Sequence, residues 1–379
     1  MRTKRHHPTG RQIERKTAQS RQAYGESDPP GGAALILTGI RDTGAPQALS
    51  LGGCRFGLPT INLVAISIDY ALPGLFTTLD TVPTAALDPI AGDPVGICSP
   101  VHSLLVQPTD AQELGLPEHR FATNQIRPAD ALVQAILALD PAPLNVACPP
   151  ERRLVGTCRH FAVLSCALLR HRGIAARVRC GFATYFQPSQ GLDHWITEYR
   201  DQRSAQWVRI DSEILGGTVL DRPESLAEGE FLSGGEAWQA FRRGEIDASQ
   251  FGVYGSKNWG PAQIRGNAVK DLAALNKIES LPWDEWGRMT DAYDGKTDAV
   301  YDDLLDALAS TCAAADPAAV AAIYRARQPA RAHRRDLLTS QHVAELTVSL
   351  TSVGMRHVVT STSTSLRSCS WWSCSVSMS

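Results

Sequence analysis

The run GTCRHFAVLSCALLRHRG, followed at once by three strand-length segments, constrains the fold of this chain more than any other feature. Phe161, Val163, Leu164, Ala167, Leu168 and Leu169 recur at helical spacing. Arg170, His171 and Arg172 fill the last turn, and Gly173 stands where a helix stops. Thr157 is the expected N-cap, which places Cys158 in the first turn. Three strand signals follow, ARVRCGFATYF (176–186), DHWITEYRD (193–201) and QWVRIDSEI (206–214). The link from Gln202 to Ala205 suits a hairpin and is too short for a parallel crossover. The expectation is an α+β fold in which the helix bearing Cys158 packs on an antiparallel sheet.

Around this segment the chain divides by composition. Residues 1–32 are polar, rich in Arg and end in Pro-Pro-Gly-Gly, which reads as a disordered leader. Residues 33–100 are apolar but broken by Gly and Pro, with one strand-like run at 61–68. The central domain is expected over 101–290, opening with a short helix at 129–139 between Pro128 and Pro141. Helical signals resume at 234–243 and 266–279. A helical extension is expected over 291–327, with a helix at 297–310 and an Ala-rich stretch after it. The Ser/Thr-biased tail, 328–379, reads as disordered.

Length and charge bound the partners. At 379 residues the chain can bury a sizeable core, and a net charge of −2 creates no field that would recruit nucleic acid or an anionic membrane. Nine cysteines, an odd number without regular spacing, fit free thiols and a reducing compartment better than a disulfide scaffold. The basic N-terminus is followed by no apolar h-region, and the apolar stretch from Phe56 to Ile68 is too short to span a bilayer. A cytoplasmic location is expected, and the oligomeric state is not legible.

The chemistry lies in three residue types at fixed places. A thiol attacks as thiolate, and a helix N-terminus favours that form, so Cys158 is the candidate nucleophile. A base must lie in reach, with an acceptor on its other ring nitrogen, and His194 and Asp211 supply both. If the last two strands pair about a centre between Gln202 and Arg203, His194 faces Asp211, Trp195 faces Ile210 and Thr197 faces Val208. That register sorts a mostly apolar face for burial from the face carrying His194 and Asp211.

Simpler readings stand beside this one. Cys158 alone reads as a small buried residue, as Cys166 does. Cys158, His160, Cys166 and Cys180 do not make a convincing metal set, since positions 158 and 160 do not share a helix face. Arg177, Arg179 and Arg209 are expected at solvated strand positions rather than on an anionic substrate. Trp259, Trp283 and Trp286 are expected to cap the core rather than stack on a ligand.

With the Gly-x-Cys helix start, the GFATYF strand, the DHW strand and the WVRID strand in this order, residues 150–215 resemble the transglutaminase-like superfamily of cysteine enzymes. The resemblance implies a core shared with papain-like peptidases, with the family's nucleophile on Cys158, its histidine on His194 and its acid on Asp211. It implies an acyl-enzyme formed from an amide, ester or thioester of a peptide, protein or small molecule, then resolved by water or an amine. Residues 101–290 further resemble actinobacterial proteins in which RGN, DLAALNK and LPWD recur. Nothing before Cys158 marks the family's oxyanion-hole Trp or Gln. Neither a calcium-spaced acidic loop nor a CxxC pair is present, so no metal or other cofactor is implied. A binding or scaffold module on the same fold, without the chemistry, remains the alternative.

Overall fold

The computed structural model describes residues 67–327. The leader, the Gly/Pro-broken segment up to residue 66 with most of its strand-like run, and the tail from residue 328 lie outside the described residues. In chain order the elements that position the site are β1 (Leu105–Val106), α1 (Ala129–Leu139), β2 (Leu154–Val155), α2 (Cys158–His171), β3 (Ala176–Ala183), β4 (Gly191–Arg200) and β5 (Trp207–Ile210). They are followed by β6 (Phe231–Ser233), α3 (Gly234–Arg242), β7 (Phe251–Gly252), α4 (Pro261–Leu275), α5 (Ala299–Ala314) and α6 (Pro317–Arg327).

The fold is α+β, with α2 packed on an antiparallel sheet. The strands run in the order β5-β4-β3-β6, and β7 adds a short parallel pairing to β4. Every residue of α2 from Cys158 to Arg170 is buried, more than the one apolar face requires. Its two inward arginines reach main-chain oxygens, and Arg170 also pairs with the Glu279 carboxylate at 3.3 Å. Arg159 donates to Ile126 and Glu279 oxygens, and Arg170 to those of Tyr70 and Ala176. Gly173, at φ 71°, ends the helix in the left-handed conformation that a side chain would strain.

Covering of the sheet on both faces is where the polar-out expectation fails. On one face Thr197 Oγ1 donates to the carbonyl of Ala162 in α2 at 2.9 Å. Glu198, next along the strand, meets the opposite cover of α3, α4 and α5. Its carboxylate takes Arg177 Nε at 2.6 Å, Arg179 at 3.1 Å and Arg209 Nε at 3.0 Å. Arg179 also grips Asp271 of α4 through two bonds of 2.8 Å, and Arg209 reaches Glu236 of α3 at 2.7 Å. Arg177 and Arg179 are thus buried members of an ionic network, not solvated strand residues. Burial alone would raise the Glu198 pKa, but the three arginines outweigh it and hold the carboxyl well below its ordinary range.

Two boundaries differ from expectation for local reasons. The helix expected at 266–279 starts five residues earlier, because Gly260 at φ 89° turns the chain into Pro261 at the first helical position. It ends at Leu275, with Lys277 at φ 61°. Residues 67–100 hold short helical turns tied to the domain, with Ala176 N donating to Tyr70 O at 3.1 Å and Tyr70 Oη to Leu275 O at 2.8 Å.

Candidate active site

The approach of strand β1 to β2 starts the site. The two pair in parallel, Val106 beside Val155, and Gly156 N donates to Val106 O at 3.0 Å. Gln107 follows Val106, and Gly156 and Thr157 follow Val155 and lead into Cys158. His160 Nδ1 accepts from Thr157 N at 3.0 Å, closing the first turn of α2 from within. That use, with burial that pushes the imidazole down to about 3, makes His160 a neutral structural group.

His194 reaches the thiol from β4. Its Nε2 donates to Asp211 Oδ2 at 2.9 Å, which leaves Nδ1 as the nitrogen available to the Cys158 sulfur, and the two residues' donor atoms lie within 4.8 Å. The register that brings Asp211 there is not the expected one. Thr197 pairs with Ile210 and Tyr199 with Val208, two positions along from the expected partners. Asp201 sets this shift by accepting from Ser204 N at 2.9 Å and Ser204 Oγ at 2.6 Å, so the loop is centred between Arg203 and Ser204. A slip of two leaves each residue on its own face, and His194 and Asp211 meet as diagonal neighbours instead of direct ones.

Strand β5 is also shorter than 206–214, ending at Ile210. Asp211 lies just beyond it, with its N–H on Pro223 O at 2.9 Å. Its carboxylate accepts three bonds: from His194, from Tyr185 Oη at 2.6 Å on Oδ2, and from Glu213 N at 3.0 Å on Oδ1. Tyr185 and Phe186 also set their rings edge-on to the imidazole, with centroids 6.2 and 5.1 Å away. The orienting acid is therefore held by its surroundings and not only by the histidine.

Opposing effects set the protonation of the pair. Burial disfavours a charged imidazole, but the Asp211 carboxylate overcomes it and holds His194 well above its ordinary value. Burial pushes the Cys158 thiol up, and the imidazole beside it pulls the other way. Asp211 thus favours a protonated ring beside the sulfur, against the burial of both groups.

A cleft of about 940 Å³ opens on these groups. Gln107, Tyr185 and Glu213 are the neighbours that the sequence reading missed. Gln107 and Glu213 line the cleft. For Tyr185 a signal existed in GFATYF, but residues 184–186 were counted as strand when the strand ends at Ala183. Trp283 lines the cleft, half-buried, with Nε1 on Gln125 Oε1 at 3.3 Å, and so does more than cap the core. Cys166 and Cys180 are buried, and neither lines the cleft. All six described cysteines are unpaired.

Comparison with family models agrees in kind. The family model described as the transglutaminase-like superfamily matches residues 144–212, the stretch from the approach to β2 through Asp211. A solved structure from Cytophaga hutchinsonii, assigned as a candidate cysteine protease, is similar at 19% identity and a TM-score of 0.27. The similarity covers 42% of this chain and 45% of that one. Comparison with curated proteins finds no match.

Proposed function

We propose that this chain is a thiol enzyme of the transglutaminase-like kind, acting on an amide, ester or thioester carbonyl through an acyl-enzyme on Cys158. The observation that carries the proposal is the relay: a His194 ring nitrogen within 4.8 Å of the Cys158 sulfur, and His194 Nε2 on a triply held Asp211 at 2.9 Å. His194 takes the thiol proton as sulfur attacks the carbonyl carbon, then gives it to the departing amine, alcohol or thiol. Water or an incoming amine next adds to the thioester carbonyl, returning its proton through the same ring and releasing the thiolate. Asp211 keeps the ring in the tautomer this sequence needs.

The oxyanion has two supported donors. One is the Cys158 main-chain N–H at the start of α2. The other is the side-chain amide of Gln107, which β1 carries to the turn before Cys158 and which lines the same cleft. The cleft volume suits a peptide segment or a small amide, and Val219 and Tyr254, both largely exposed, offer it an apolar rim. Hydrolysis and transfer use the same first half-reaction and differ in the acceptor. A cytoplasmic location, and kinship with actinobacterial proteins over 101–290, belong to the same proposal.

One observation favours a binding module instead: the thiol is only 7% exposed, and burial raises its pKa. A thiol-directed activity probe with mass-spectrometric mapping separates the readings. Labelling at Cys158 that candidate amides compete away supports the enzyme. Labelling spread evenly over all thiols, with a Cys158→Ser protein that keeps its cellular phenotype, supports the module.

A further inference from the structure

Glu213 has no part in the relay, yet it lies against it. The Cys158 sulfur, a His194 ring nitrogen and a Glu213 carboxylate oxygen all lie within 4.8 Å of one another. Among the described residues no other group of three such donors converges in this way. Glu213 Oε2 is shielded from solvent and finds no hydrogen-bond partner among the described residues. Its main chain is fixed, with His102 Nδ1 on the carbonyl and the N–H on Asp211, so the side chain leaves the backbone at a set point beside the relay.

We propose that Cys158, His194 and Glu213 form a reversible inhibitory site for a divalent cation of the zinc class. A tetrahedral ion with bonds of about 2.0–2.3 Å keeps its donors roughly 3.3–3.8 Å apart. The three donors already fall within the 4.8 Å that a small adjustment would close. A sulfur and an imidazole select zinc or cobalt over calcium and magnesium, which prefer oxygen. Three protein donors leave a fourth position facing the cleft for water. His194 already carries a carboxylate on its far nitrogen, the arrangement that orients histidine ligands at metal sites.

Binding forms metal–sulfur, metal–nitrogen and metal–oxygen bonds, and every proton held on the sulfur, on the ligating ring nitrogen or on the Glu213 carboxyl leaves to solvent. The thiolate and the Glu213 carboxylate together neutralise the dication. With its sulfur ligated and its base occupied, the relay cannot act. The regulatory consequence rests on the thiol-enzyme reading; the binding itself does not.

The test uses the full reduced chain with cobalt and zinc chlorides. Cobalt is expected to bind one to one and to give a sulfur-to-metal charge-transfer band that Cys158→Ser lacks and that zinc displaces. Zinc is expected to protect Cys158 from iodoacetamide, and a chelator to restore the reaction. Glu213→Gln should weaken the metal at least about tenfold, while Glu213→Asp, which keeps a carboxylate, should retain most of it. No band and no protection in the folded wild type would overturn the site, as would equal affinity in folded Glu213→Gln. Fast alkylation without protection would remove the metal site and leave the thiol enzyme standing. Metal binding to a thiol inert at every pH would do the reverse.

Discussion

His194 Nε2 and Asp211 Oδ2 lie 2.9 Å apart although their residues are two positions out of register across the β4–β5 pair. The contact survives because Asp211 has left the strand and is positioned by Pro223, Tyr185 and the turn into Glu213. The acid of the relay therefore depends on that turn as much as on the sheet.

Asp211→Asn keeps the shape but replaces an acceptor with an amide, and the imidazole loses its fixed tautomer. The rate of Cys158 alkylation near neutral pH is expected to fall at least about tenfold. Tyr185→Phe removes one of three donors, a charge-assisted bond worth about 1.5–3 kcal/mol, and should have a smaller effect in the same assay. Equal rates in all three proteins would show that Asp211 does not act on the ring.

Glu198 anchors three arginines, so Glu198→Gln leaves buried positive charge uncompensated. A loss of about 3–5 kcal/mol in urea unfolding is expected. Because the folded carboxyl has a depressed pKa, its stabilisation is complete above the ordinary carboxylate value and is lost as pH falls toward the folded one. The gap between wild type and variant should narrow in acid. A gap that stayed constant from pH 7 to pH 3 would contradict the network.

Glu213 titrates with the opposite sign. Burial pushes it up to about 7 from 4.5, so ionising it works against the fold. With a chelator present, wild type and Glu213→Gln should melt alike at about pH 4.5 and below. As pH rises through 7 the wild type should lose stability relative to the variant. A wild type that gained on the variant over that range would show that the carboxylate has a stabilising partner.

What the sequence made legible is what periodicity and caps encode. The helix at 129–139, the start of α2 at Cys158 and its stop at Gly173 are local signals, and the structure has them at those positions. The register failed by two because it turned on how Asp201 uses its side chain, which alternation does not carry. Arg177 and Arg179 were misread for a different reason. Alternation with apolar neighbours looks the same whether the polar face meets water or is covered by a helix that brings Asp271 beside Glu198 of the neighbouring strand. Gln107 and Glu213 come to the site through a two-residue parallel pairing and a turn, both too short to leave a pattern.

The central claim is that His194 activates Cys158, and the pH profile of iodoacetamide labelling at Cys158 tests it most directly. Wild type is expected to react well below pH 8, with a plateau where the thiolate is paired with the protonated ring. In His194→Ala burial and the nearby Glu213 and Asp193 carboxylates act on the sulfur with no imidazole to oppose them, so reaction should begin above 9, beyond the ordinary thiol value. Wild-type and variant profiles that coincide, both rising only above 9, would contradict the account.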